Sequence, residues 1–106
     1  MSLPLHRSIC ACAIFVSLAP PALAAGDPQE GRAIAEKWCA TCHVVSETQT
    51  SATPAAPSFA AIGQKYRNGI SALAAFLADP HPVMPDMSLT RQEIRDLTAY
   101  IEGLRG

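Results

Sequence analysis

One short stretch, Cys39-Ala40-Thr41-Cys42-His43, constrains this 106-residue chain more than any other part of it. Two thiols one helical turn apart can each add to a vinyl group of one porphyrin, while the adjacent imidazole reaches the porphyrin iron. Cys-x-x-Cys-His is the attachment sequence for haem c for this reason. The motif therefore predicts one covalent haem c, attached through Cys39 and Cys42, with His43 as an iron ligand.

Other uses of these residues fit the sequence less well. A thioredoxin-like redox pair needs a βαβ context, whereas the residues before Cys39 have a helical pattern. A structural zinc site needs four ligands, and after His43 the chain offers only His81 as a further strong ligand. A disulfide between Cys39 and Cys42 would close a very small loop and leave His43 without a role. Covalent haem is the favoured interpretation, with a haem-free thiol protein as an alternative.

The first 25 residues have the layout of a cleaved secretory signal peptide, which would leave a single domain at residues 26–106. A basic start at residues 6–7 precedes an apolar run at residues 9–18 and a small-residue segment at residues 22–25. The apolar run is too short to cross a bilayer core of about 30 Å as a helix. We therefore expect export to the periplasm and no permanent membrane span.

Charge and cysteine content narrow the possible functions after cleavage. Residues 26–106 contain seven Lys and Arg against nine Asp and Glu, a net charge of −2, which does not favour nucleic acid as a partner. Cys39 and Cys42 are the cysteines left, so a disulfide framework is not available. A domain of this size is near the lower limit for a self-sufficient core. A buried porphyrin would add apolar area to it.

The first helix is predicted to begin at Asp27 and Pro28 and to lead into the Cys-x-x-Cys-His motif. Asp27 can cap it, and Pro28 suits the first helical position because its missing N–H is not needed there. Three apolar residues share one face at spacings of three and four: Ile34, Ala35 and Trp38. Gly31 costs roughly 1 kcal/mol relative to Ala in a helix, so it indicates close approach of another backbone.

Three further helices are expected after a loop at residues 46–57, which is rich in Ser, Thr, Ala and Pro. Ser58 caps a short helix, and a second short helix spans residues 71–78 before Pro80 stops it. A capping box that begins at Thr90 starts the final helix. Its apolar stripe consists of Ile94, Leu97, Ile101 and Leu104.

With these features together, the sequence resembles the small class I c-type cytochromes of bacterial periplasms. The resemblance covers Asp27 to Leu104 and is carried by the Gly31 helix, the Cys-x-x-Cys-His motif, the Met84-Pro85 loop and the final helix with Tyr100. It implies an all-α cytochrome c fold of about four helices around one haem c. In that fold the first and last helices cross at Gly31, with Tyr100 at the contact.

The resemblance also implies the axial iron ligands. His43 binds from one side and a methionine sulfur from the other, and thioether ligation raises the reduction potential. Met84 stands at the family's usual distance before the last helix and is preferred, while Met87 is less favoured. His81 is a rival ligand, because imidazole binds ferric haem well. The ring N–H of His43 is expected to donate to the carbonyl of Pro57.

Two aromatic residues, Trp38 and Tyr66, are candidate hydrogen-bond donors to the haem propionates by the same resemblance. Plain core packing is at least as good an explanation for each of them.

An electron carrier rather than an enzyme is the function that the resemblance implies. The protein would act as a free periplasmic shuttle or as the electron-accepting subunit of a periplasmic dehydrogenase. Its partners would be redox proteins, such as a periplasmic dehydrogenase, a respiratory complex or a terminal oxidase. The alternative is a haem enzyme or gas-binding module with a labile sixth ligand, although the Met84-Pro85 loop argues against an open iron face.

Overall fold

The structure is a computed structural model that describes residues 1–5, 10–18, 25–53, 55–80 and 82–104. The regular elements in chain order are α1 (Pro28–Ile34), a π-helical segment (Ala35–Cys39), α2 (Phe59–Lys65), α3 (Ile70–Ala78) and α4 (Arg91–Gly103). The described residues thus form four α-helices and contain no strand, which confirms the expected all-α fold.

Helix α1 begins where capping chemistry predicts and then changes its hydrogen-bond pattern. Asp27 Oδ1 accepts from the backbone N–H of Gln29 over 2.9 Å, and Pro28 occupies the first position of the helix. At the far end α1 runs directly into the π-helical segment, where Ala40 N–H donates to Ala35 O over 3.0 Å. A bond that spans five residues is the π-helical step, and such segments are often found at functional sites.

Helices α2 and α3 are short and follow the 46–57 loop. Ser58 Oγ accepts from the N–H of Ala61 over 3.1 Å, which confirms Ser58 as the cap of α2. Helix α3 begins one residue before the predicted position, after Gly69, and ends before Pro80. Each helix buries side chains against the rest of the domain, namely Phe59 from α2 and Leu73 and Leu77 from α3.

Helix α4 begins with the predicted capping box. Thr90 Oγ1 accepts from Glu93 N–H over 3.1 Å, and Glu93 Oε2 accepts from Thr90 N–H over 2.7 Å. Leu97 and Ile101 on the predicted stripe are each 1% exposed and form the centre of the core. The other core residues are Ala35, Cys39, Val45, Phe59, Leu73, Leu77 and Ile94.

The contact between α1 and α4 requires glycine. A Cβ added at Gly31 would lie 2.0 Å from Asp96 O and 2.8 Å from Tyr100 Cβ, closer than real Cβ atoms approach. This confirms the expected close approach at Gly31, with Tyr100 at the contact. Gly26 is a second such point that sequence analysis did not single out, because an added Cβ would lie 2.1 Å from Arg95 O.

A buried carboxylate also joins these two helices. Asp96, only 6% exposed, accepts from the backbone N–H of Asp27 over 2.8 Å and from Gln92 Nε2 over 2.7 Å. The first bond spans 69 positions of sequence and fixes the start of α1 against the middle of α4. Helices α1 and α4 are therefore joined at a point that precedes the haem motif in the sequence.

Some sequence expectations fall on residues that the structure leaves out. The rival ligand His81 lies outside the described residues, and so do residues 6–9 and 19–24 of the expected signal peptide. Residues 1–5 and 10–18 are irregular and exposed. In the described part of the chain, no helix has the length and apolar character needed to cross a membrane.

Candidate haem site

The two cysteines of the motif lie at the end of the π-helical segment and three residues beyond it, in different environments. Cys39 is the last residue of that segment and is 8% exposed, whereas Cys42 is exposed. Burial raises the pKa of the Cys39 thiol to about 11. This thiol is therefore protonated at neutral pH, unlike the low-pKa cysteine of a thiol–disulfide oxidoreductase. The environment suits a cysteine that is alkylated during maturation and then remains buried.

The π-helical segment explains why Cys39 is buried. Gly31, Ala35 and Cys39 are spaced by four and all face the interior. In a continuous α-helix each step of four residues rotates the side chain by about 40°, so Cys39 would lie about 80° from Gly31. The wider π turn rotates each residue by less and compensates for this drift. As a result, one face of the helix both crosses α4 and presents the first haem cysteine.

The same change of pitch corrects the expectation for Trp38. Sequence spacing placed Trp38 on the buried face with Ile34 and Ala35, but the side chain is 46% exposed. Its indole ring contacts Lys37, whose Nζ lies 4.8 Å from the ring centroid. The buried face runs through Ala35 and Cys39 instead. Trp38 therefore does not fill the protein core, and its role as a propionate donor stays a prediction.

The imidazole of His43 is oriented by the backbone of Pro57. His43 Nδ1 lies 2.6 Å from Pro57 O, which confirms the expected partner. A carbonyl oxygen can only accept, so Nδ1 carries the proton and Nε2 has its lone pair free. This is the tautomer that an iron-binding histidine needs. The donor set of two thiols and one free Nε2 fits haem c.

Behind His43 a line of aromatic rings connects the motif to α4. The His43 and Phe59 ring centroids are 5.5 Å apart and tilted by 54°, and Phe59 and Tyr100 are 6.4 Å apart. Phe59 N–H donates to Val44 O over 2.9 Å, and Tyr100 Oη donates to Val45 O over 2.5 Å. The segment that follows the motif is thus fixed to both α2 and α4. Sequence analysis did not identify the contact between Phe59 and His43.

Gln49 is a further residue of the site that sequence analysis missed. Its side-chain amide bonds the backbone at four positions on both sides of the motif's end: Ala40, His43, Val45 and Ser51. A single amide in a Ser- and Thr-rich loop gives no periodic signal. Its role depends on how the loop folds back.

The segment before α4 contributes one methionine to the core that contains Cys39. Among the described residues, the apolar side chains packed against the core include Met84 but not Met87, although both are partly buried. Ile62, Tyr66, Ile70 and Ala74 belong to the same partly buried group. The part of these apolar side chains that stays exposed is area that a bound porphyrin could bury. Within the described residues, no cluster of three or more His, Cys, Asp or Glu side chains suggests a zinc site.

The helices, the motif and the oriented histidine together define a haem c-binding domain. Residues 26–101 match the family model described as cytochrome c oxidase, cbb3-type, subunit III, and the chain belongs to this family of c-type cytochromes.

A curated relative extends the likeness over nearly the whole chain. Cytochrome c-552 of Bradyrhizobium diazoefficiens (strain USDA 110) is 43% identical over 99 residues, which cover 93% of this chain and 94% of the relative. No solved structure has a significant similarity to the chain. The protein is a small bacterial c-type cytochrome with covalently bound haem c, and cytochromes of this kind are electron-transfer proteins.

Proposed function

We propose that this protein is a periplasmic one-electron carrier whose single haem c is attached through Cys39 and Cys42 and whose iron is bound by His43 and Met84. The observation that carries the proposal is the hydrogen bond between His43 Nδ1 and Pro57 O, which leaves Nε2 free on the same motif as both cysteines. Haem c supplies a one-electron Fe(III)/Fe(II) couple when bound.

The packing of the two methionines supports Met84 as the second ligand. Met84 packs against the core cluster that contains Cys39, whereas Met87 is outside that packed group among the described residues. A His/Met pair leaves no open position for a substrate, so both oxidation states keep the same ligands. That property suits electron transfer better than catalysis or gas binding.

Oxidised and reduced absorption spectra of the purified holoprotein are the first test. His/Met ligation gives a low-spin ferric spectrum with a methionine-to-iron charge-transfer band in the near infrared. A high-spin spectrum that shifts on addition of cyanide would contradict the proposal and favour the enzyme or gas-binding alternative.

A matched pair of variants then identifies the methionine. We expect Met84→Ala to keep the covalent haem, to lose the charge-transfer band and to lower the reduction potential by the order of 0.1 V, within the range of about 0.8 V that axial ligands control. We expect Met87→Ala to keep the wild-type band and potential. The opposite result would assign Met87 as the ligand.

Partner choice follows from the family and can be tested directly. The family model is described as a subunit of a cytochrome c oxidase, so we propose a respiratory electron-transfer chain as the setting, with a terminal oxidase as the first acceptor to test. Rapid mixing of the reduced protein with a purified oxidase should give second-order oxidation of the haem, and the change in its rate with ionic strength will show whether attraction or repulsion governs the encounter. Co-purification with a dehydrogenase at fixed stoichiometry would instead favour the subunit role.

A further inference from the structure

The amide of Gln49 makes an unusual number of contacts for a loop side chain. Nε2 lies 2.9 Å from Ala40 O, 2.7 Å from His43 O and 2.9 Å from Ser51 O, and Oε1 accepts from Val45 N–H over 2.9 Å. The residue is half-buried. The Gln49 amide therefore joins two backbone groups within the motif to two backbone groups that follow it.

The chemistry of the four groups selects an amide. Three of them are carbonyl oxygens, which can only accept, and the fourth is an N–H, which can only donate. The NH₂ of Gln49 must face the three carbonyls, which share its two hydrogens, and its oxygen must face Val45, because the reversed amide would set oxygen against the carbonyls. A carboxylate or an apolar side chain of the same length cannot satisfy this set.

One of these carbonyls, Ala40 O, is at the C-terminal cap of the π-helical segment, and another, His43 O, lies in the turn after it. The last carbonyls of a helix have no partner within it and need one elsewhere. Gln49 Nε2 supplies that partner to Ala40, which lies between the two cysteines, and to His43 itself. Gln49 thus connects the loop to the backbone of the haem motif.

His43 is consequently held at three separate atoms. Its N–H donates to Cys39 O over 2.9 Å, its carbonyl accepts from Gln49 Nε2, and its ring Nδ1–H donates to Pro57 O. Two of these contacts fix the backbone and the third fixes the ring. The imidazole plane therefore depends on both Pro57 and Gln49.

We infer that Gln49 is a positioning residue for the axial histidine: its amide holds the His43 carbonyl and thereby sets the approach of the imidazole to the haem iron. This inference rests on the proposed role of His43 as an iron ligand. It gives the 46–57 loop, which also contains Pro57, a defined task, which is to hold the backbone and the ring of His43.

The test compares Gln49→Glu, Gln49→Leu and Gln49→Asn with wild-type holoprotein. Glu keeps the length but lacks the NH₂ donors, Leu lacks both donor and acceptor, and Asn is one methylene too short to reach all four groups. We expect the Glu and Leu variants to shift the Fe(III)/Fe(II) equilibrium by about three- to tenfold, or about 30 to 60 mV at 59 mV per tenfold change. The g values of the low-spin ferric EPR signal should shift with it, and Asn should show a smaller change.

Asp27→Ala is the matched stability control. It removes the side-chain cap of α1 and destabilises the protein without contacting the motif, so its potential and EPR signal should equal those of the wild type. Wild-type potential and EPR in the Gln49 variants, with only a loss of stability, would overturn the inference. Failure of all three variants to retain haem, when Asp27→Ala retains it, would also overturn it, because Gln49 would then be needed for folding or attachment.

The proposed function can fail independently of this inference. If the wild-type holoprotein lacks a low-spin histidine-ligated iron, the ligand assignment itself is wrong before any variant is compared. If the wild type has that iron and the Gln49 variants match it, only the positioning role is wrong.

Discussion

The two proposed iron ligands are held in different ways: hydrogen bonds fix His43, whereas prolines and packing restrict Met84. His43 is bonded at its N–H, its carbonyl and its ring. The segment at residues 82–90 includes Pro82 and Pro85, and its hydrogen bonds to other described residues are local, such as Ser88 N–H to Asp86 Oδ1 over 2.7 Å. The proposed ligand His43 is thus held in place by the protein itself, while the proposed ligand Met84 is confined but not fixed.

The two sides of the site also differ in how strongly they depend on the rest of the fold. The His43 side is continuous with the α1–α4 contact through Tyr100 and Phe59, so disturbing it disturbs the fold. The Met84 side precedes α4, and we expect it to open locally without unfolding the helices, as segments with few long-range bonds commonly do. Substitutions on the two sides should therefore have different consequences.

The largest effect is expected at the helix crossing. Gly31→Ala would place a Cβ 2.0 Å from a backbone oxygen of α4, which no side-chain rotation can relieve. We expect a loss of about 3 kcal/mol or more in the free energy of unfolding, measured by urea titration of the holoprotein with far-UV circular dichroism. Gly103→Ala is the control, because nothing lies within 4 Å of its added Cβ. That variant should be stabilised by up to about 1 kcal/mol, and equal losses in both would contradict the crossing.

Tyr100 should show an intermediate effect on the same side. Tyr100→Phe removes the bond to Val45 O and should cost about 1 to 2 kcal/mol at neutral pH. Burial raises the pKa of Tyr100, Arg32 opposes this increase and Glu36 adds to it. The folded-state pKa of Tyr100 exceeds the unfolded value of about 10. The stabilisation from its bond to Val45 O is therefore complete below about pH 10 and is lost as the pH rises through the folded-state pKa. Unfolding titrations at rising pH should show wild type and variant converging; a constant difference would contradict the assignment.

A smaller effect is expected at Pro85, and it should appear in ligand exchange. With Met84 as the proposed ligand, we expect imidazole to replace it only when the 82–90 segment opens, and Pro85→Ala should make the open state more favourable by about 0.4 to 1 kcal/mol. Imidazole affinity of the ferric protein should rise about two- to fivefold, followed by loss of the methionine charge-transfer band. Pro28→Ala, in the first turn of α1, should leave this affinity unchanged. Equal increases in both variants would mean that the Met84 side does not open separately.

The smallest effect is expected at Ser88. Its φ of 52° lies in the left-handed region, which disfavours residues other than glycine. Ser88→Gly should stabilise the protein by about 0.5 kcal/mol, because relief of this strain is partly offset by the greater flexibility of glycine. Thermal unfolding would measure the change, and Ser88→Ala, which keeps the strain, should give no gain. A loss in Ser88→Gly would indicate that the serine contributes more than its backbone costs.

Local rules predicted much of this structure from the sequence. Asp27, Ser58 and Thr90 begin helices because a side-chain oxygen next to free backbone N–H groups needs no information from elsewhere in the chain. The Gly31 contact was predictable because a glycine in a helix interior has a cost that packing must offset. The Pro57 bond to His43 came from family resemblance, which already contains the tertiary arrangement.

The features that were not predicted all depend on contacts between distant segments. The spacing of apolar residues in the sequence does not indicate a π-helical segment, so the prediction that Trp38 lies on the buried face was wrong. Gly26 precedes the first helix, and its need for glycine depends on where Arg95 lies in space. The Gln49 amide matches three carbonyls and one N–H, and these groups come together only after the loop folds. In each case the constraint belongs to the fold and not to the neighbouring sequence.

The π-helical segment also limits how this stretch of chain can change in length. Deletion of one residue between Gly31 and Cys39 would let a regular α-helix form, and the seven remaining steps of about 100° would leave the cysteine only about 20° from the face of the glycine. Deletion of a second residue would move the cysteine about 120° away from that face and out of the interior. This stretch can therefore lose one residue, but not two, and still connect the glycine crossing to the first thioether.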